Sequence, residues 1–410
     1  MPLCVAGLNR STRAVLGREW MLHGHLQDRV GMALLLEVAD RLTMQDLAIT
    51  EWAAASPVYT RRLRAAFGIE GDGVDAVFKA LQLDVGAPHE FMDFRYVLHD
   101  NDHGEFWLAH CGALMDVEPM GEQFVHGMCH AIEDPTFDAT AGATNPLVQV
   151  RPLHRPPRVP ADRVPHCAWR VDVVPAAKAV DRSPLEDQVA TSRAAQLPLP
   201  SYRDSGDGGL PDSRGHFDPD FVLEDLSGAA QQVALDEFAT QSHLLVRAFV
   251  LAVTERLGAD AAAGMLPRLV RGWCGLTSQR LQRAFDLDAT AAGVASLLAL
   301  HPALAPVSYT DAHIVLEDDQ HVRLSLGEGD GDAATWLSRP DRGRLVAGLL
   351  QAAVPQVRVH EDGTDLLVVV DTASEPAPPA PEVAVAHFST GAGFRFGTRP
   401  LPGTAVRTTV

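Results

Sequence analysis

The segment "HCGALMDVEPMGEQFVHGMCHAIED", His110 to Asp134, gathers two cysteines, three histidines and five carboxylates with no lysine or arginine among them. Thiolates and imidazoles are the ligands that zinc and related transition metals select, and a carboxylate can complete such a shell or take the proton of a metal-bound water. On a helix turning about 100° per residue, Glu122, His126, Cys129 and Glu133 fall within about 60° of one another, with His130 beside them. Cys111 reaches the same region from the end of a strand. The pattern predicts Cys111, Cys129 and His130 as ligands of a transition metal, zinc or else iron, and Glu122, Glu133 and His126 as the catalytic side chains. Two alternatives stand beside it: a metal-free cysteine–histidine site, and a structural cluster. A free cysteine is commonly a small buried hydrophobe, a Glu and His four apart can be a solvated pair, and the spacing Cys-x17-Cys is not a diagnostic zinc signature.

The elements that must position these groups are legible from periodicity. Apolar residues at three and four spacings predict helices over Asp28–Leu42, Ser56–Ile69 and Gly73–Leu83. "FMDFRYVLHD" and "GEFWLAHC" flank the turn residues Asn101–Gly104 and read as a hairpin, in which neighbours such as His110 and Cys111 face opposite ways. The helix of the opening segment and strands at "LVQVRPL" and "CAWRVDVV" follow. The same order returns in the second half: "PVSYTDAHIVLEDDQH" aligns without a gap on "PHEFMDFRYVLHDNDH", which gives His103 a counterpart in His321 and favours a turn role for both. The expected fold class is therefore α+β, an internal duplication of a unit with amino-terminal helices followed by hairpin, helix and strand pair, forming a pseudo-dimer in one chain. The divisions are a first unit at 20–175, a flexible linker rich in Pro, Ser, Asp and Gly at 176–219, a second unit at 220–371 and a Pro/Gly-rich tail at 372–410.

The duplication supplies an internal control. Laying "GEQFVHGMCHAIED" on "RGRLVAGLLQAAVP" keeps one apolar face, Phe124, Val125, Met128 and Ile132 against Leu345, Val346, Leu349 and Ala353. On the other face Glu122, His126, Cys129, His130 and Glu133 meet Gly343, Ala347, Leu350, Gln351 and Val354, and Cys111 meets Gly329. Packing alone does not ask for the ligand-type residues, so the first unit is expected to be active and the second degenerate. Asp116 and Glu118 precede the helix and serve its start. "DPTFDATAGATN" after it is a candidate lid or pocket wall, or a plain surface insertion. "RPLHRPPRVPADRVPHC" is a local basic island that could attract a carboxylate, or an exposed loop.

Composition bounds the function. A formal charge of -19 and the lack of a basic stripe exclude nucleic acid as the expected partner, and no apolar run approaches the roughly 20 residues of a membrane span. Without a visible secretory signal, and with five scattered cysteines, cytoplasmic residence with reduced thiols is expected. The cysteine ending a hairpin, the intervening helix and the second cysteine near its end resemble the arrangement in L-2-amino-thiazoline-4-carboxylate hydrolase-like proteins and, more distantly, bacteriochlorophyll 4-vinyl reductase-like domains, over roughly residues 20–175 through Cys111 and Cys129. The first resemblance implies opening of a small C–N-containing ring or a related hydrolysis; the second implies a ligand pocket whose cysteines hold zinc. The expected function is metal-assisted hydrolysis or lyase-type chemistry on a small organic acid. The rivals are a non-enzymatic small-molecule sensor and a protein with a purely structural zinc.

Overall fold

The computed structural model describes residues 2–204 and 206–402. Two long helices open the chain, α1 (Arg10–Leu36) and α2 (Arg41–Phe67). Asn9 caps the first by accepting from Thr12 N–H, and Asp40 caps the second through Thr43 N–H. The helix expected over Asp28–Leu42 is thus cut at Glu37–Asp40, and the true α1 begins well before it. Gly68, in the left-handed region at φ 61°, ends α2 and lets Ile69 N–H reach Arg64 C=O. Then come α3 (Val74–Leu81), the hairpin β1 (Met92–Leu98) and β2 (His103–Cys111), α4 (Gly112–Val117), α5 (Glu122–His126), a π-helical turn (Gly127–Ile132), α6 (Glu133–Gly142), β3 (Val148–His154) and β4 (Cys167–Val173). A short α7 (Glu186–Ala190) leads to the second half: α8 (Gly228–Leu257), α9 (Ala259–Ala284), α10 (Ala291–Ala299), α11 (Val307–Thr310), β5 (His313–Leu316), β6 (His321–Ser325), α12 (Arg342–Gln351), β7 (Val357–Asp362), β8 (Asp365–Val370) and α13 (Pro381–Ala386).

The architecture is α+β, with two antiparallel four-stranded sheets of orders β1-β2-β4-β3 and β5-β6-β8-β7. In each half the helix before the third strand packs on that strand and on the half's second long helix, α6 on β3 and α2, α12 on β7 and α9. The turn histidines act as their spacing suggests, His103 Nδ1 lying 2.8 Å from Asp100 Oδ1 and His321 Nδ1 2.8 Å from Asp318 Oδ1. α8 lies along both α1 and α2, and α9 along α1, so one hydrophobic core runs through both halves. α1 is consequently buried nearly all round, and its polar residues need partners inside: Arg18 with Glu224, Glu19 with Arg280. Residues 185–197, read from composition as part of a flexible linker, bury Leu185, Val189, Ala194 and Leu197, and Arg62 on α2 donates to Leu197 C=O. The tail also docks: α13 packs on α9 and α1, and Phe394 lies edge-on to Phe91. Among the described residues, no helix is long and apolar enough to cross a membrane.

Candidate functional site

The π turn changes what the opening segment presents. A wider turn inserted into a helix shifts the phase of every later residue, and such turns recur at functional sites. Glu122 and His126 precede it and stay at the surface, an exposed pair 3.4 Å apart. His130, half-buried, has its ring 4.4 Å from that of His126, and its Nε2 donates to Pro156 C=O at 2.6 Å. Cys129 turns into the core, where Cys111 and Cys167 also lie. On top of the larger effect of burial, the Glu133 charge pushes all three thiols up, and Cys111 does the same to Cys129 and Cys167; Cys111 itself is raised to about 12. Cys111 Sγ accepts from Leu114 N–H at 3.3 Å and lies 3.8 Å from Met92 Sδ. Among the described residues, no group of three or more His, Cys, Asp and Glu side chains is arranged to hold a metal ion. Of the predicted residues, the structure brings together Cys111, Cys129 and Glu133, and leaves His130, His126 and Glu122 on the outer side.

Glu133 opens onto a cavity of about 100 Å³ that the sequence reading did not include. α1 supplies His25, Asp28 and Arg29 to its wall, α2 supplies Trp52 and Tyr59, the turn after α3 supplies Asp84, and α6 adds Glu133, Thr136, Phe137 and Thr140. The segment expected as a lid or surface insertion is therefore α6, one wall of the cavity. Asp28 Oδ2 accepts from Trp52 Nε1–H at 2.7 Å, while Oδ1 is buried with no hydrogen-bond partner among the described residues. Asp84 Oδ1 accepts from Tyr59 OH at 3.0 Å and Gly86 N–H at 2.7 Å. Glu133 Oε2 is sealed from water and has no partner among the described residues, and behind Asp28 the fully buried Glu51 has both oxygens in that state.

Burial dominates the electrostatics here. It raises Asp28 to about 6 against the opposing pull of Arg29 and Trp52, and Asp84 to about 6 against Gly86 N–H and Tyr59. Burial and then the Asp28 charge push Glu51 well above the usual carboxylate range, so Glu51 keeps its proton where Asp28 has lost its own. Glu133 rises to about 8 through burial and Asp134, with Arg155 opposing. His25 is held neutral by burial and by Arg29. Arg29 Nη2 lies 3.1 Å from His25 Nε2, and an arginine can only donate, which places the imidazole proton on Nδ1, itself unpartnered among the described residues.

A second, apolar chamber of about 290 Å³ adjoins the first and shares Asp28, Arg29, Met32, Met128 and Ile132 with it. Phe124, Met120, Met44 and Phe388 of the docked tail complete its lining. The tail is held there by Asp116, which accepts from Ser389 Oγ, Thr390 N–H and Thr390 Oγ1 and pairs with Arg29 Nε at 3.4 Å. Asp116 thus anchors the tail rather than a helix start, and Glu118 pairs with Arg158. In the second half His243 Nε2 donates to Ala305 C=O at 2.8 Å and its ring lies 4.6 Å from Tyr309. The chain matches no family model, no curated protein and no solved structure.

Proposed function

We propose that this chain is a cytoplasmic enzyme that transforms a small organic molecule by carboxyl acid–base catalysis of the hydrolase or lyase type. The observation that carries the proposal is that Asp28 Oδ1 and Glu133 Oε2, both buried and unpartnered among the described residues, belong to the wall of one cavity. Two carboxyl groups whose surroundings separate their pKa values form an acid–base pair. Between about 6 and about 8 Asp28 is ionised and takes the proton of an attacking water or of the substrate, while Glu133 is protonated and gives its proton to the leaving group. Asp84 and Tyr59, hydrogen-bonded to each other, line the same cavity. The sequence contrast between the two halves fits an internal duplication in which one copy kept the chemistry and the other kept the packing. The resemblance of the hairpin and helix to thiazoline-carboxylate hydrolase-like proteins points to the same reaction class.

The test is metabolite profiling with the full chain, beginning with small compounds containing C–N or C–S bonds. Turnover should follow a bell with limbs near 6 and 8, and Glu133→Gln or Asp28→Asn should lower it by roughly 100-fold or more with the fold intact. A compound retained by the wild type and released unchanged, with no variant altering any product, makes the protein a sensor or carrier instead. A second reading, zinc or iron at the thiols, rests on Cys111, Cys129 and Cys167 all feeling the Glu133 charge, while among the described residues their present arrangement does not form a metal-holding group. His130 is not part of that set. Elemental analysis decides it: about one equivalent of metal, lost in Cys111→Ser and Cys129→Ser and kept in Cys274→Ser, supports the ion.

A further inference from the structure

The cavity wall is short of positive charge. Among the described residues lining the two chambers, Arg29 is the one cation, and it is already engaged by Asp116 and His25. Of the four arginines of the basic island that could have drawn an anionic substrate, three are ion-paired in place, Arg151 with Asp138, Arg155 with Asp134 and Arg158 with Glu118, and Arg163 does not line either chamber. Against this stand Asp28, Asp84 and Glu133 in the wall and Glu51 immediately behind. Asp28 is 7% exposed, and its Oδ1 has no donor among the described residues. A buried carboxylate oxygen left without a donor is costly unless a ligand supplies one. Trp52, Tyr59 and Phe137 line the same space, and aromatic side chains are what hold organic cations elsewhere. Away from Asp28 and Arg29, which it shares with the inner cavity, the outer chamber offers Met32, Met44, Met128, Phe124 and Phe388, a lining for an apolar body, with Gln45 the further polar side chain. A dry cavity of about 150 Å³ accepts benzene, so the outer chamber of about 290 Å³ has room for a ring with a short side chain.

Building on the proposed enzymatic site, we infer that its substrate is an organic amine or amidine, with the cationic nitrogen on Asp28 in the inner cavity and an apolar body in the outer chamber. A carboxylate substrate would meet unpaired acids instead of a free cation. Around Asp28 the titrating and charged groups are His25 and Arg29 from α1, Glu51 and Tyr59 from α2, Asp84 after α3, Asp116 from α4, and Glu133 from α6 with Asp134 and Arg155 beside it. His25 and Glu51 stay neutral near pH 7, so protonation of Asp28 and Asp84 is the change that acid brings to the ligand's side of the wall.

The experiment is calorimetric titration of the full chain with phenethylamine, phenethyl alcohol and hydrocinnamate. The amine should bind at least about tenfold more tightly than either isostere near pH 7.5. Its affinity should fall at least about tenfold towards pH 5, although the amine, like a lysine, stays charged throughout. Asp28→Asn should remove the preference for the amine and leave the alcohol's affinity within about twofold, and the pH series on wild-type protein reads the same interaction without a substitution. Equal or tighter binding of hydrocinnamate or the alcohol, no detectable amine binding, or an amine affinity flat with pH each overturn the inference. Amines that bind and are never transformed would instead refute the catalytic reading and leave the ligand class standing. Turnover of a neutral or anionic compound by a protein that ignores amines would do the reverse.

Discussion

Replacing Glu133 by Gln should stabilise the protein in alkali while removing its activity. The carboxyl is raised from 4.5 to about 8, first by burial and then by Asp134. The folded protein therefore keeps the proton to about pH 8, whereas the unfolded chain releases it near 4.5, so folding takes up a proton in this window and stability falls as pH rises through it. Carried through in full, the shift costs roughly 3 kcal/mol at pH 7 and roughly 5 kcal/mol at pH 9. Water entry and relaxation in so small a cavity reduce these upper bounds, and a net gain of about 2 kcal/mol for the amide at pH 9 is the expected scale. Near pH 4 both side chains are neutral and the two proteins should differ little. The assay is urea unfolding of wild type and Glu133→Gln from about pH 4 to about pH 9, in which Asp28 and Asp84 titrate in both proteins and largely cancel from the difference. Parallel curves, or a variant destabilised equally at every pH, would refute the claim that this carboxyl is held protonated by its surroundings. Glutamate retained at such a cost is what a functional acid requires of a fold.

Two further outcomes follow from burial. In native protein a thiol reagent should label Cys4 alone and quickly, because Cys111, Cys129, Cys167 and Cys274 are buried with pKa values pushed up; rapid labelling of a second cysteine before unfolding would contradict this placement. Since one core runs through both halves, residues 1–219 or 220–410 expressed alone should show no cooperative unfolding transition while the full chain shows one; a sharp transition in either fragment would make the halves independent domains.

The sheets were legible because strand alternation and the Asp–His turn leave the same mark twice, and both hairpins form where that pattern lies. α1 was not. Its stretch "REWMLHGHLQDRV" mixes charge with apolar residues on every side, which reads as no helix face at all until α8, α9 and the tail are packed around it. Glu133, Cys111 and Cys129 were visible through contrast with the second half, but the π turn, which no propensity announces, moved Glu122, His126 and His130 out of the cluster. Asp28, Glu51 and Asp84 were missed because each stands alone in its own helix or turn and resembles a solvated surface acid. The signal existed: the spacing that aligns Pro88–His103 with Pro306–His321 places Val246 opposite Asp28, Leu269 opposite Glu51 and Pro302 opposite Asp84. The contrast that singled out the cysteine helix therefore extends to every acid of the cavity.

The second half also bears directly on the geometry of the cavity. α1 carries His25, Asp28 and Arg29 into the cavity, and its direction is set by bonds to the other half. Arg18 pairs with Glu224 at 2.8 Å and Glu19 with Arg280 at 2.8 Å, all four buried, while Trp273 Nε1 donates to His23 C=O at 2.6 Å and Trp20 Nε1 to Leu300 C=O at 2.9 Å. Buried ion pairs add little net stability, but breaking one leaves an unpaired charge at a cost of about 3–5 kcal/mol, so they penalise any slip or rotation of the helix. A turn of slip would carry Asp28 away from Trp52 and Arg29 away from Asp116. On the far side Asp116 is held in turn by Ser389 and Thr390 of the tail, which the second half delivers. Catalytic carboxyl groups must be held to within a fraction of an ångström by elements that do not themselves react. The second half supplies the buried bonds that fix α1 in place.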